Sequence, residues 1–427
     1  MSAYARAAAA LGASVTGSDQ AASPFSRALG ADGVLEAVIG HRAENVPAGE
    51  GVELICSAAI PAENPERIAA GERGLALLGR AALLAELSGL RRTIAVAGAH
   101  GKTTTASMIT SVLRAAGLDP GYLIGGILRE SSRNADWGSG EWLVVEADES
   151  DRSLLSLQVE IAVLTNVELD HHDSFGSLAE LEQVYREFLA AAPTAVIWDR
   201  PELLALREGP VVPYDVTGAT LDGGHVRFLW DAVAVELAVP GLHNARNAAA
   251  ALSVAALVGV SAVDAAGALA GFGGAVRRFE RLGESAAGAQ VYDDYAHHPT
   301  EIAATLAAAR TLRPRRLIAA FQPHLYSRTQ ALAREFGTAL AAADAVVVLD
   351  VYAARERGVD FPGVSGLVVA EATADAAAGR PTLWMPDRRA AESALRELAG
   401  AGDLVVVMGA GDIDELGRRL VSGGGGR

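Results

Sequence analysis

Lysine is nearly missing from this 427-residue chain: it occurs once, as Lys102, and the other 35 of the 36 basic residues are arginine. A chain that tolerates arginine everywhere else excludes it at one position for a reason of shape. Arginine presents a wide planar fork, whereas lysine delivers a compact charge on a thin stem. Cysteine also occurs once, as Cys56, which excludes an internal disulfide and leads us to expect a reducing, cytoplasmic setting. Positive charge is in deficit, with a formal net charge of −16, which argues against nucleic acid or an anionic membrane surface as partner. Any anionic substrate must then be met by local arginines and helix N-termini. No apolar run approaches the roughly 18–20 residues of a membrane helix, and no signal peptide is recognisable.

What is present is apolar and alanine-rich, in three blocks that alternate short apolar strands with helices. That alternation predicts an α/β chain of three domains with parallel sheets covered on both faces. The first block runs to residue 90, with a helix over 2–11 and a strand over Ala13–Thr16. The second spans 91–276, with strands at Thr93–Ala97, Trp142–Glu146, Ile161–Thr165 and Ala195–Trp198. A β-meander over 209–240 is expected at its sheet edge. The third spans 277–427, with strands at Gln290–Asp293, Arg316–Phe321, Ala345–Asp350, Thr382–Met385 and Leu404–Met408, and a disordered terminal GGGGR.

Chemistry-bearing residues gather where strands end. Gly98-Ala99-His100-Gly101-Lys102-Thr103-Thr104 lies between a strand and a helix, where backbone N–H groups converge on a phosphate. There Lys102 would neutralise the outer phosphates of ATP, and the Thr103 hydroxyl would ligate Mg²⁺. Val96 stands where the full phosphate-loop pattern has its first glycine, so the loop is a shortened variant. Glu146-Ala147-Asp148-Glu149-Ser150 ends the next strand and offers hard oxygen ligands, with Glu146 the first choice for Mg²⁺. Asn166 to Asp173 (NVELDHHD) follows another strand, and His171 is its preferred metal ligand. His243-Asn244-Ala245-Arg246-Asn247 opens a helix, where Asn244 and Asn247 either cap it or read an adenine edge. In the third block DDYAHHPTE and FQPHLYSRT follow successive strands, and Arg328 is a candidate for bidentate carboxylate binding. Seven of the nine histidines fall in these clusters.

Taken in order, GAHGKTTT, EADES, NVELDHHD, GLHNARN, RRFE, DDYAHHPTE, FQPHLYSRT and MGAGDI resemble the Mur ligases of peptidoglycan synthesis over essentially the whole chain. DDYAHHPTE and FQPH point within that family to the members that add L-alanine. The resemblance implies a Rossmann-like UDP-binding domain, a central P-loop ATPase domain and a C-terminal Rossmann-like domain. It implies ATP and Mg²⁺ as cofactors, UDP-N-acetylmuramate and L-alanine as substrates, and an acyl phosphate between them. By the same resemblance Lys102, His171, His297 and Arg328 are catalytic, and Gly98 to Thr104 with Asn244 and Asn247 hold the nucleotide. Thr103, Glu146 and His171 hold metal, and Ser18, Asp19, Ser57 and Tyr295 meet substrate.

Two departures stand out. Leu325 occupies a position that is basic in some family members. The chain also opens with the Met-Ser that family members place after a first strand and glycine loop, so a segment that would cradle the UDP pyrophosphate is expected to be missing. Gly17, Ser18, Asp19, Ser57 and Ala58 would remain to hold the uridine side, with weaker binding of the UDP-sugar. The rival readings are a tripeptide-recycling or folate polyglutamating ligase, and a nucleotide-binding regulator that does not ligate.

Overall fold

The computed structural model describes residues 1–57, 59–170 and 174–422. The chain divides into two compact units, one of residues 1–168, 177–214 and 250–265, the other of 169–176, 215–249 and 266–427.

The first unit opens with a helix over Ser2–Ala10. The expected strand over 13–16 does not form. Pairing starts only at Gly17, whose carbonyl accepts the Val38 N–H at 2.9 Å. The resulting strand β1 is Ser18–Asp19, parallel to β2 at Val38–Ile39. The stretch Ala13–Thr16 has Val15 as its one sizeable apolar side chain, too little to hold a strand. A second parallel pair joins β3 (Glu53–Cys56) to β4 (Ala76–Gly79). These two pairs are separate sheets.

The main sheet of this unit has seven strands. They are β5 (Arg92–Ala97), β6 (Gly121–Leu128), β7 (Arg133–Asp136), β8 (Trp142–Glu146), β9 (Ile161–Leu164), β10 (Thr194–Trp198) and β11 (Val211–Tyr214), in the order β11-β10-β9-β5-β8-β6-β7. All neighbours run parallel except β6 with β7. The central strands β5, β8 and β9 are largely apolar, with Arg92, Thr93 and Glu146 at the ends of two of them, and are buried along nearly their whole length, as strands covered on both faces must be. Their carboxyl ends therefore share one edge, where ligands bind in such sheets.

The second unit holds a six-stranded sheet. It consists of β15 (Glu280–Glu284), β16 (Gln290–Asp294), β17 (Leu317–Phe321), β18 (Ala345–Val348), β19 (Thr382–Trp384) and β20 (Leu404–Met408), in the order β15-β16-β20-β17-β18-β19. Only the β15–β16 pair is antiparallel. Two apolar clusters cover its faces, one around Phe321, Phe336 and Val406, the other around Ile318, Val405 and Leu416.

The meander expected on the sheet edge over 209–240 is only partly there. β11 does join the seven-stranded sheet, but β12 (Thr220–Asp222), β13 (His225–Trp230) and β14 (Val233–Leu237) form an antiparallel sheet of their own. The Gly223-Gly224 turn, with φ of +57° and +83°, folds β13 back on β12. The alternating burial of β13 marks a half-covered surface rather than an extension of a two-sided sheet. The expected disordered GGGGR lies outside the described residues.

Candidate active site

The loop after β5 is built around two glycines with positive φ, Gly98 at +129° and Gly101 at +82°. Gly101 caps the helix Lys102–Ala115 in the left-handed conformation, so the chain turns sharply enough for the first helical N–H groups to face the loop. Thr165 and Asn166, at the end of β9, lock this turn. The Thr165 hydroxyl donates to the His100 carbonyl at 2.6 Å, and the Asn166 side chain accepts from His100 N–H at 2.9 Å and donates to its carbonyl at 2.8 Å. Ala99 and Thr104 lie in the same loop and first turn, and the His100 ring contacts Glu168 at 3.2 Å.

Lys102 folds back over this loop. Its Nζ donates to the Gly98 carbonyl at 2.7 Å and to both Glu149 oxygens at 3.0 Å. Burial alone would lower the ammonium's pKa, but the carboxylates of Glu149, Asp148 and Glu146 more than offset it and raise it. The cation is therefore permanent and aimed into the loop.

One turn on, the Thr103 hydroxyl donates to both oxygens of Glu146 at 3.0 Å, and the Gly125 N–H donates to Glu146 Oε2 at 2.8 Å. Adjacent vertices of an octahedron with Mg–O bonds of about 2.1 Å are about 3.0 Å apart. The Thr103–Glu146 pair has that spacing and offers only oxygen donors, so these residues fit Mg²⁺. The Gly125-Gly126 pair of β6 makes room for them: a Cβ on Gly125 would come within 2.9 Å of Glu146 Oε2, and one on Gly126 within 2.7 Å of Thr103 Cγ2. His171, the expected further ligand, lies outside the described residues, as do His172 and Asp173.

The residues expected on the uridine side belong to this unit too. Ser18 donates to Glu66 Oε2 at 2.7 Å and contacts His41 Nδ1 at 3.1 Å. Asp19 and Ser57 each accept a local N–H at 3.4 Å, from Ala21 and Ala59. Ala58 is outside the described residues.

In the second unit Asn244 and Asn247 sit in the first turns of the helix Leu242–Leu257. Asn244 donates to the Pro240 carbonyl at 2.7 Å, and Asn247 donates to Asn244 Oδ1 at 3.3 Å. Both are buried.

At the end of β16, Tyr295 lies under the guanidinium groups of Arg277 and Arg278, 5.2 and 5.1 Å from its ring centre. His297 Nδ1 is 2.9 Å from the Tyr295 carbonyl. A carbonyl can only accept, so Nδ1 carries the proton and Nε2 keeps its lone pair. Burial, reinforced by Arg328 and opposed by Glu301, lowers the pKa of His297. His324 has the opposite tautomer: its Nδ1 faces Arg328 Nη1 at 3.3 Å, and a guanidinium can only donate. Burial and its cationic surroundings push His324 down to about 3.

Arg328, expected to receive a carboxylate, already holds one from its own chain. Its Nε and Nη2 donate to Asp170 Oδ1 at 2.9 and 2.7 Å, and both residues are buried.

Residues 1–92 match the Mur ligase family catalytic domain, 96–255 the Mur ligase middle domain, and 277–411 the Mur ligase glutamate ligase domain. UDP-N-acetylmuramate–L-alanine ligase of Rubrobacter xylanophilus is 43% identical to this chain, over 99% of it and 97% of the relative. The chain belongs to the Mur ligase family. The protein of the same name from Mycolicibacterium smegmatis is also 43% identical, over 96% of this chain and 90% of that one. The crystal structure of UDP-N-acetylmuramate–alanine ligase from Thermotoga maritima superposes with a TM-score of 0.84 at 25% identity, covering 99% of this chain and 96% of that one. A murein peptide ligase from Psychrobacter arcticus, at 24% identity, shares the fold with a TM-score of 0.73.

In this Mur ligase chain, the sequence does not disclose which carboxylates meet the buried cations. Glu149 is one of three acidic residues in a strand-end loop, and it is the carboxylate that receives Lys102. Asp170 was one residue of an acidic cluster, yet it neutralises Arg328. His324 was noted only as part of its motif.

Buried titratable groups in the second unit give a testable pH dependence. His324 and His243 are held down to about 3 and about 4, chiefly by burial. Unfolded histidine protonates near 6.5, so their contribution to stability is lost as pH falls from that value toward those folded pKa values. Asp293 and Asp294 act in the opposite sense. Burial raises them to about 7 and about 6, so their contribution is lost as pH rises from the unfolded aspartate value of about 3.9. Between about pH 4 and 6 the two pairs cancel, each group contributing a slope of about 1.4 kcal/mol per pH unit. His324→Gln removes one histidine slope. Its urea midpoint relative to wild type is expected to rise steadily from pH 7 to pH 4; a pH-independent difference refutes this assignment.

Proposed function

We propose that this chain joins L-alanine to the muramyl carboxylate of UDP-N-acetylmuramate, converting ATP to ADP and phosphate, in the cytoplasm as a step of peptidoglycan synthesis. The proposed domains are residues 1–90 for the UDP-sugar, 91–276 for ATP, and 277–427 for the amino acid. The observation that carries the reading is the Lys102 Nζ, held over a glycine loop by the Gly98 carbonyl and Glu149, beside the Thr103–Glu146 oxygen pair.

In the proposed mechanism the loop N–H groups of residues 98–104 and Lys102 grip the transferring phosphoryl group as charge develops on its oxygens. Thr103 and Glu146, with His171 as the further ligand, would hold Mg²⁺, which when bound neutralises phosphoryl oxygens. The γ-phosphoryl passes to the muramyl carboxylate as the bond to ADP breaks. The amine of L-alanine then forms the amide as phosphate leaves. His297 Nε2, unprotonated at neutral pH, accepts the proton that the amine must lose. Tyr295 and Arg328 orient the amino acid, Asn244 and Asn247 meet the adenine, and Ser18, Asp19 and Ser57 meet the uridine side.

The test is ADP release with ATP, Mg²⁺ and UDP-N-acetylmuramate, with and without amine. L-alanine is expected to stimulate it strongly, and the tripeptide of recycling ligases or free glutamate not. ADP release that ignores every amine would instead indicate a nucleotide-hydrolysing regulator.

A further inference from the structure

A lysine ammonium has three N–H donors and no acceptor. Those of Lys102 are engaged within its own chain, by the Gly98 carbonyl at 2.7 Å and by the two Glu149 oxygens at 3.0 Å each. The Ala99 carbonyl adds a further acceptor at 3.5 Å. Lys102 can grip a phosphate oxygen only if one of these partners lets go.

The surroundings decide which one. The Gly98 carbonyl is backbone, in a turn whose φ is +129° and whose Cα lies hard against Thr165 and Asn166. It cannot move without the loop. Glu149 offers a side chain instead, on a segment whose backbone is held in place. The Ala147 N–H donates to the Val96 carbonyl at 2.9 Å, the Ser150 N–H to Asp148 Oδ1 at 3.1 Å, and the Arg152 N–H to the Glu149 carbonyl at 3.0 Å. Two methylenes let the carboxylate swing while this segment stays. Its paired oxygens present to the ammonium what two oxygens of a phosphate would present. A phosphate set beside it would also be repelled by its charge. Asp148, by contrast, acts on Lys102 through space and accepts from Ser150.

We propose that Glu149 is a positioning residue that competes with the nucleotide for Lys102. Its carboxylate holds the ammonium in the place of a phosphate, yields it when ATP enters, and takes it back as phosphate departs. This rests on the nucleotide-loop reading above and adds what sets affinity and release at that loop. The observed affinity for ATP is lowered by the fraction of chains in which Glu149 holds Lys102.

The experiment measures ATP binding to the full chain with Mg²⁺ by calorimetric titration, and ATP dissociation by rapid-mixing chase. Glu149→Gln is expected to bind ATP about tenfold tighter, mostly through slower dissociation, and to lower the KM for ATP in turnover. Its urea midpoint should fall, because a buried ion pair has lost a partner. Affinity and stability then move in opposite directions, which damage to the loop would not produce. Glu149→Asp keeps the charge but is one methylene short. It should tighten ATP by a smaller factor, and it carries the test if the glutamine variant does not fold. Asp148→Asn removes a charge from the same segment without touching the ammonium, and should change ATP affinity only about twofold. Weaker or unchanged ATP binding in the Glu149 variants would overturn the proposal. So would equal tightening in Asp148→Asn, which would mark a general loss of negative charge. Wild type that bound no ATP would overturn the nucleotide reading and this inference with it. The expected binding shifts without alanine-dependent turnover would support this inference and overturn the ligation alone.

Discussion

Lys102→Arg is expected to lower alanine-dependent ADP release about 1000-fold, although it keeps the charge. The expectation follows from how the ammonium is seated. Nζ meets the Gly98 carbonyl at 2.7 Å, the Ala99 carbonyl at 3.5 Å and both Glu149 oxygens at 3.0 Å. The side chain is 12% exposed and Glu149 2%. A planar guanidinium with five N–H groups cannot take this position without moving the loop or displacing Glu149. Either change misaligns the N–H groups that must face the phosphates. Lys102→Met separates charge from shape. It leaves the Glu149 carboxylate buried and without its cation, which costs about 3 kcal/mol of stability on top of the lost turnover. ADP release and a urea titration on both variants check this. An arginine variant within tenfold of wild type would show that the loop has room to spare.

The contrast between Lys102 and its partners shows what a sequence discloses. The loop was legible because each of its signals is local: an apolar run, two glycines, one lysine, then helix-forming residues. The ends of β5, β8 and β9 were legible for the same reason, since strands buried on both faces read as continuous apolar stretches. Partnerships across the fold were not. Glu149 is 47 residues from Lys102 and Asp170 is 158 from Arg328, and no periodicity specifies which carboxylate of an acidic run will meet which cation. Strand β6 was missed for a related reason. Its GYLIGGIL sequence is not among the strands expected above, because Gly125-Gly126 breaks the apolar run at the point where a Cβ would crowd Glu146 and Thr103. The meander was misplaced because alternation of apolar and polar residues reveals a half-buried sheet but not which sheet it joins.

Gly98→Ala is expected to be the most damaging single methyl addition at the nucleotide loop. At φ +129° the position is one that side-chain-bearing residues rarely adopt, and the new Cβ would lie 2.2 Å from Thr165 Oγ1, 2.9 Å from the Asn166 carbonyl and 3.0 Å from its nitrogen. None of these atoms is free to retreat. Thr165 Oγ1 is tied to the Ala97 and His100 carbonyls at 3.2 and 2.6 Å, and Asn166 grips both backbone groups of His100. The strain must therefore pass into the turn that shapes the phosphate site. We expect a loss of about 3 kcal/mol of stability and a rise of about 100-fold in the KM for ATP. Gly117→Ala is the control. Gly117 also has a positive φ, +77°, but a Cβ there meets nothing within 4 Å, so that variant should lose only about 1 kcal/mol and keep its KM for ATP. The difference between the two isolates the contact with Thr165 and Asn166 from the backbone conformation. If Gly98→Ala proved no worse than Gly117→Ala by chemical denaturation and ATP titration, the end of β9 would not be what holds the loop in shape.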